Sequence, residues 1–305
     1  MLTDDVERYL ALRRSLGFQL RKPAQHLQAF ARVAAEKGEA HIRAASVIEW
    51  AAAGPTRDAR HRRLNDVARF ACFLLAEDAT HEVPPTGLFA APKSRPAPYI
   101  YTPDELVRIL EAAGRLRVLK PNPLRRQTYV MLFGLIAATG MRVSEAINLR
   151  LHDIRPGGVL HIRETKFCKS RLVPLHATVV DALDRYLKVR LRFAAWDDHL
   201  FLSMRGKALP YGTVRCAFRR TLCLANIAPG RARRPRIHDL RHSFATHVLE
   251  QCGTNRDAVA RHFVALSTYL GHADIAHTYW YLQATPQLMS DIAAAAEALI
   301  VKEAP

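Results

Sequence analysis

The sequence predicts a mainly α-helical protein of two domains, an all-helical N-terminal part followed by an α+β part with a small antiparallel sheet. Three observations carry this. Apolar residues recur at helical spacing over most of the chain, best at Leu64, Val67, Ala68, Ala71, Leu74 and Leu75. Prolines crowd one stretch, with Pro84, Pro85, Pro92, Pro96, Pro98 and Pro103 making six of the chain's 17. Short aliphatic runs at Val159–Ile162 and Leu172–Val173 flank a polar segment and read as two strands around a hairpin tip.

The elements follow in order. Residues 1–83 are helical, with earlier stripes through Val6 and Leu10 and through Leu27, Phe30, Ala31 and Ala34. Gly38 and the Gly54-Pro55 pair punctuate them. Residues 84–101 read as an extended interdomain linker, because proline removes backbone donors and opposes both helix and central strand. Residues 102–305 form the second domain. Thr102-Pro103-Asp104-Glu105 has the form of an N-cap, a proline at the first helical position and a capping-box glutamate. An apolar helix covers about 127–138 and stops at Thr139-Gly140; Gly157-Gly158 turns into the strands. Helical patterns return at 177–192, 211–226, 239–251 and 257–269. The tail, 286–302, sets Leu288, Ile292, Ala295, Ala296 and Leu299 on one stripe.

Charge narrows the partners. Forty-five Lys and Arg against 28 Asp and Glu give a net charge of +17, with a pI near 10.2. A chain this basic is expected to meet a polyanion, and long nucleic acid is the usual one. The arginine clusters at 57–63 and 231–236 are expected to contact phosphate backbone. No apolar run approaches the roughly 20 residues that span a bilayer, so no membrane partner is expected. The opening MLTDDVERYL lacks a signal-peptide core, and the expected location is a prokaryotic cytoplasm, at the nucleoid. Cys72, Cys168, Cys216, Cys223 and Cys252 are odd in number and form no C-x-x-C pair, which suggests reduced thiols.

Four segments carry chemistry. In AATGMRVSEAINL (137–149), a Thr-Gly turn precedes Arg142, with Glu145 one helical turn on to hold its guanidinium. In RETKFCKSRLVPL (163–175), Lys166 and Lys169 sit on the hairpin tip. In RIHDLRHSFATHVL (236–249), His238 and Arg241 share a face at a helix start, where free N–H groups and the dipole favour phosphate. His238 and His242 are also i and i+4, but no acidic residue completes a metal motif and Arg241 would repel a cation. In YLGHADIAHTYWYL (269–282), His272 follows Gly271 and Tyr281 lies nine positions later.

Taken in order, Arg, Lys, His-x-x-Arg, Gly-His and Tyr resemble the tyrosine recombinase (phage integrase) family, which includes Xer-type recombinases, lambda integrase and Cre. HDLRHSFATH at 238–247, TGMRVSEAINL at 139–149 and LGH at 270–272 carry the likeness, which extends over about residues 100–290. It implies the tyrosine recombinase fold, with residues 1–83 as a helical core-binding domain that clamps DNA. It implies Arg142, Lys166, His238, Arg241 and His272 around a scissile phosphate, Glu145 in support and Tyr281 as nucleophile. Lys169 competes with Lys166, which stands between Thr165 and Phe167 where the family often has glycines. Tyr279 competes with Tyr281; on a helix the two point about 200° apart, so one alone can face the phosphate. The 31 positions from Arg241 to His272 exceed what the family leads one to expect.

The chemistry of that set is coherent. Two guanidiniums can clamp nonbridging phosphate oxygens and stabilise the charge of a five-coordinate transition state. A phenol of pKa about 10 needs a proton acceptor and cationic surroundings to attack. The leaving 5′ oxygen needs a proton, which a lysine can give. The implied activity is site-specific recombination through a 3′-phosphotyrosine and a Holliday junction, without cofactor or metal. Double-stranded DNA and a homo-tetramer on two sites are the implied partners, the free protein being monomer or dimer, with accessory or sister recombinases besides. The 286–302 stripe would dock on its own domain or on a neighbouring protomer. Mobile-element transposition is the expected task. A type IB topoisomerase and a decayed DNA-binding accessory protein are the rival readings.

Overall fold

Among the described residues, helices and one small sheet build the architecture. The computed structural model describes residues 2–90, 97–118, 123–163, 170–193, 197–203, 205–231, 234–251 and 256–271. Backbone contacts divide the chain into two units, Met1–Arg95 and Pro96–Pro305.

The first unit contains α1 (Leu2–Ser15), α2 (Arg21–Glu36), α3 (Ala44–Ala52) and α4 (Arg57–Leu75). The stripes face one core: Val6 and Leu10 of α1, Leu27, Phe30, Ala31 and Ala34 of α2, and Leu64, Val67, Ala71 and Leu74 of α4 are buried. Helix α4 packs against the other three. Phe70, off its main stripe, is therefore buried as well, its ring centroid 5.3 Å from that of Tyr9. Leu75 departs from the expected stripe and is exposed, because α4 ends on it. Thr56 caps α4 by accepting from the Ala59 N–H at 3.1 Å. Within the 57–63 cluster, three guanidiniums are committed to carbonyls of their own unit, Arg57 to Ala90, Arg60 to Gly54 and Arg63 to Trp50. They therefore do structural work besides any contact with phosphate.

The second unit opens with α5 (Pro103–Gly114). Its capping box is complete: Thr102 Oγ1 accepts from the Glu105 N–H at 3.2 Å, and Glu105 Oε2 accepts from the Thr102 N–H at 3.0 Å. The segment before it is not free at its ends. Phe89 packs on the first unit's core, while Tyr101 is fully buried and donates its N–H to Ser243 Oγ at 2.7 Å. Positions 91–96 lie outside the described residues.

Helix α6 (Arg125–Thr139) is apolar on nearly every face because α5, α8 (Ala177–Arg190) and α10 (His238–Glu250) all pack on it. Short α7 (Val143–Ile147) follows, then a three-stranded antiparallel sheet of β1 (Ile154–Arg155), β2 (Val159–Ile162) and β3 (Arg171–Pro174), in that order. The register sets Leu160 opposite Val173 and Ile162 opposite Arg171. Leu160, Ile162 and Val173 point into the core, and Leu172 points to solvent. Helices α9 (Tyr211–Leu224) and α11 (Arg256–Leu270) complete the described unit. No helix among the described residues is long and apolar enough to cross a membrane. The apolar stripe at 286–302 lies outside the described residues, as do Cys168 and Cys252; Cys72, Cys216 and Cys223 are free thiols.

Candidate functional site

The site begins where α6 stops. Gly140 caps that helix at φ +60°, and a Cβ there would lie 2.4 Å from the Phe244 ring. The left-handed turn delivers Arg142 to the N-cap of α7 in extended conformation. Glu145 at the third helical position reaches back: its Oε2 accepts from the Arg142 backbone N–H at 2.9 Å, and its Oε1 from Arg142 Nη1 at 2.7 Å. Arg142 Nη2 donates to the Gly271 carbonyl at 3.1 Å.

The two-pronged grip on Glu145 comes from a residue other than Arg142. Arg171, the first residue of β3, donates Nη1 to Oε1 at 3.1 Å and Nη2 to Oε2 at 2.7 Å. The Glu145 side chain, 5% exposed, thus lies between two guanidiniums. Burial alone would push its pKa up; the hydrogen bonds and charge of Arg171, with those of Arg142, outweigh that and hold it at about 2.

Helix α10 supplies the other half. His238 is its first residue and Arg241 lies one turn on. Arg241 is buried, with Nη1 donating to the Gly140 carbonyl and Nη2 to the Leu270 carbonyl, each at 2.8 Å. It joins the end of α6 to the end of α11, while Arg142 holds the next carbonyl, that of Gly271. His238 is an exposed residue whose ring packs edge to face against that of His242, the centroids 4.8 Å apart. Burial pushes its pKa down, and the charges of Arg241, Arg236 and Arg142 add to that against the pull of Asp239. Asp239 is itself taken by Arg236, through a backbone bond of 2.7 Å and a side-chain bond of 3.0 Å.

Of the residues singled out in the sequence, the structure thus gathers Arg142, His238 and Arg241, with Glu145 beneath them. Lys166, Lys169, His272, Tyr279 and Tyr281 lie outside the described residues. Arg171 went unnoticed in the sequence, yet it had a signal. It stands two positions before buried Val173, so strand alternation puts it on the inner face. An arginine there requires a carboxylate partner.

Among the described residues, one cluster of carboxylates and histidine has donor atoms close enough to share a metal ion: Asp197, Asp198 and His199. Asp198 is paired with Arg150 at 2.8 Å, and Asp197 binds the ring and backbone N–H of His199 within the cluster itself.

This mainly helical fold, with its small antiparallel sheet and paired arginines, has clear relatives. The model of the phage integrase family matches residues 100–287. A putative integrase/recombinase of Sinorhizobium fredii is 36% identical over 296 residues, covering 94% of each chain. The fold is similar to that of the Tn1549 transposon integrase in complex with transposon right end DNA, with a TM-score of 0.65 at 17% identity, covering 98% of this chain and 99% of that one. It is also similar to a lambda integrase tetramer bound to a Holliday junction, with a TM-score of 0.62 at 17% identity, covering 91% and 76%. The chain belongs to the phage integrase family of tyrosine recombinases.

Proposed function

We propose that this protein cuts and rejoins double-stranded DNA at specific sites, with Tyr281 attacking a phosphate held by Arg142 and Arg241. One observation carries the reading: Arg142 and Arg241 converge on the turn at Leu270 and Gly271, one residue before His272, and both act electrostatically on His238. Three cationic or proton-handling groups beside one turn suit a single phosphodiester. In this reading the guanidiniums take the nonbridging oxygens. The Tyr281 hydroxyl loses its proton to a neighbouring base, and its oxygen attacks phosphorus. The bond to the 5′ oxygen breaks, and Lys166 protonates that oxygen as it leaves. A 3′-phosphotyrosyl link preserves the phosphoester bond energy, and a second 5′ hydroxyl reverses the step on another strand.

The lowered pKa of His238 suits it to stay neutral at neutral pH, able to donate or accept a proton, while His272 lies beside the same turn in sequence. Two strand exchanges through a four-way junction require four protomers on two sites. We assign residues 1–83 to clamping the duplex, residues 84–101 to joining the two domains, and the 286–302 stripe to docking on a neighbouring protomer. A mobile element is the setting this reading favours, with the protein acting in the cytoplasm on nucleoid DNA. The net charge of +17 supports DNA as the partner, and the Sinorhizobium relative and the transposon integrase support the activity and the setting.

The test is a nicked DNA substrate that loses its short 5′ fragment after cleavage and so traps the covalent complex. The protein should form a DNA adduct on it. Tyr281→Phe should form none while shifting the same DNA in a gel; an adduct that survives in this variant moves the nucleophile elsewhere, Tyr279 first.

A further inference from the structure

We propose that Arg171 is a positioning residue for strand cleavage: its guanidinium fixes the Glu145 carboxylate, and through it the Arg142 guanidinium, to the base of the hairpin that carries Lys166. The inference rests on the recombinase reading above and deepens it, because it names what keeps one phosphate-binding arginine in place.

The geometry is specific. Glu145 receives four hydrogen bonds, two from Arg142 and two from Arg171. Only Arg171 engages both oxygens with one planar group, and a planar fork fixes the carboxylate's rotation where a single bond does not. With the carboxylate plane fixed, Arg142 meets Oε1 through Nη1 and still extends Nη2 to the Gly271 carbonyl. Without Arg171, each oxygen of a buried carboxylate keeps a single donor. The carboxylate is then free to turn and take both arms of Arg142, which would pull that guanidinium from the Gly271 turn.

Arg171 also sits where three chain segments meet. Its backbone pairs with Ile162, the last rung of the β2–β3 ladder before the hairpin tip. Its guanidinium grips the Arg142 segment through Glu145. Its Nη1 lies 3.2 Å from where a Cβ on Gly271 would stand, in the residue before His272. The Nε of Arg171 is buried without a hydrogen-bond partner, so among the described residues the hydrogen bonds of this side chain are all made to Glu145.

The experiment compares full-length protein with Arg171→Met and Arg171→Lys on the nicked substrate, carrying either a normal scissile phosphate or a methylphosphonate. The methylphosphonate lacks one charged oxygen and so has less need of a correctly placed arginine. On the normal phosphate, Arg171→Met should slow adduct formation by about 100-fold, the cost of a misplacement of about 1 Å, with DNA affinity kept. On the methylphosphonate most of that loss should vanish. Arg171→Lys should recover only part, since it restores the charge but not the fork. In an Arg142→Ala background, Arg171→Met should add no further loss, because the two residues act as one unit.

Equal losses on both linkages, or additive losses with Arg142→Ala, would reduce Arg171 to a structural residue and overturn the inference. So would an unchanged rate in Arg171→Met. In each of these results the unaltered protein still forms its adduct, and the recombinase reading stands. No adduct from the unaltered protein would instead remove that reading and this inference with it.

Discussion

Gly140 ties backbone conformation to side-chain placement. Its φ of +60° ends α6, its missing Cβ admits the Phe244 ring, and its carbonyl receives Arg241. Gly140→Ala combines a left-handed conformation with a clash. It should cost roughly 1–3 kcal/mol, read as a lower denaturant midpoint, and should slow adduct formation by displacing Arg241. Acid should act through two groups. Glu145 titrates at about 2 in the folded chain against an ordinary 4.5, so the unfolded chain binds more protons between those values. The stability this carboxylate contributes is whole above about 4.5 and drains away as the pH falls toward 2. Glu145→Gln should flatten that part of a pH–stability curve. The pKa of His238 is also lowered, so its share likewise weakens as the pH falls below the ordinary histidine value of about 6.5. The acid limb of adduct formation should accordingly begin below that value in a pH–rate profile. Arg142, His238 and Arg241 were legible in the sequence because their spacing repeats a known pattern. Arg171 was not, because its role depends on which face of β3 turns inward, and that only shows once the strand is paired.

Local rules governed the elements best. The capping box at Thr102 and Glu105 and the stop at Gly140 are chemistry of four or five adjacent residues, and both form where the sequence placed them. Thr102→Ala should cost about 1 kcal/mol, measured as a shift in denaturant midpoint, and a serine should restore most of it. Other elements escaped sequence reading. Helices α3 and α7 have nine and five residues, and β1 has two, too short to show a period. Phe70 was missed for another reason: a helix packed against three others buries more than one stripe, and nothing in its own sequence announces the extra neighbour.

At the scale of the molecule, the main cores of the two units are separate clusters, which implies separable stability. Leu64 belongs to the first core and Leu132 to the second, and both are fully buried. Either leucine changed to alanine should cost roughly 2–5 kcal/mol. Calorimetry should show Leu64→Ala lowering one melting transition and Leu132→Ala the other. Net charge and amphipathic stripes made the mainly helical architecture and the polyanionic partner readable, but base recognition depends on side chains whose placement no composition encodes. The crowding of arginines around one carboxylate has a last consequence. Arg142 and Arg171 share Glu145, and Arg241 beside them is held by neutral carbonyls. An anion bound beside clustered guanidiniums is attracted by all of them. Duplex DNA therefore brings these arginines a counter-charge that the unfolded chain cannot arrange: adding it should raise the melting temperature of the second unit, and raising the salt should erase the gain.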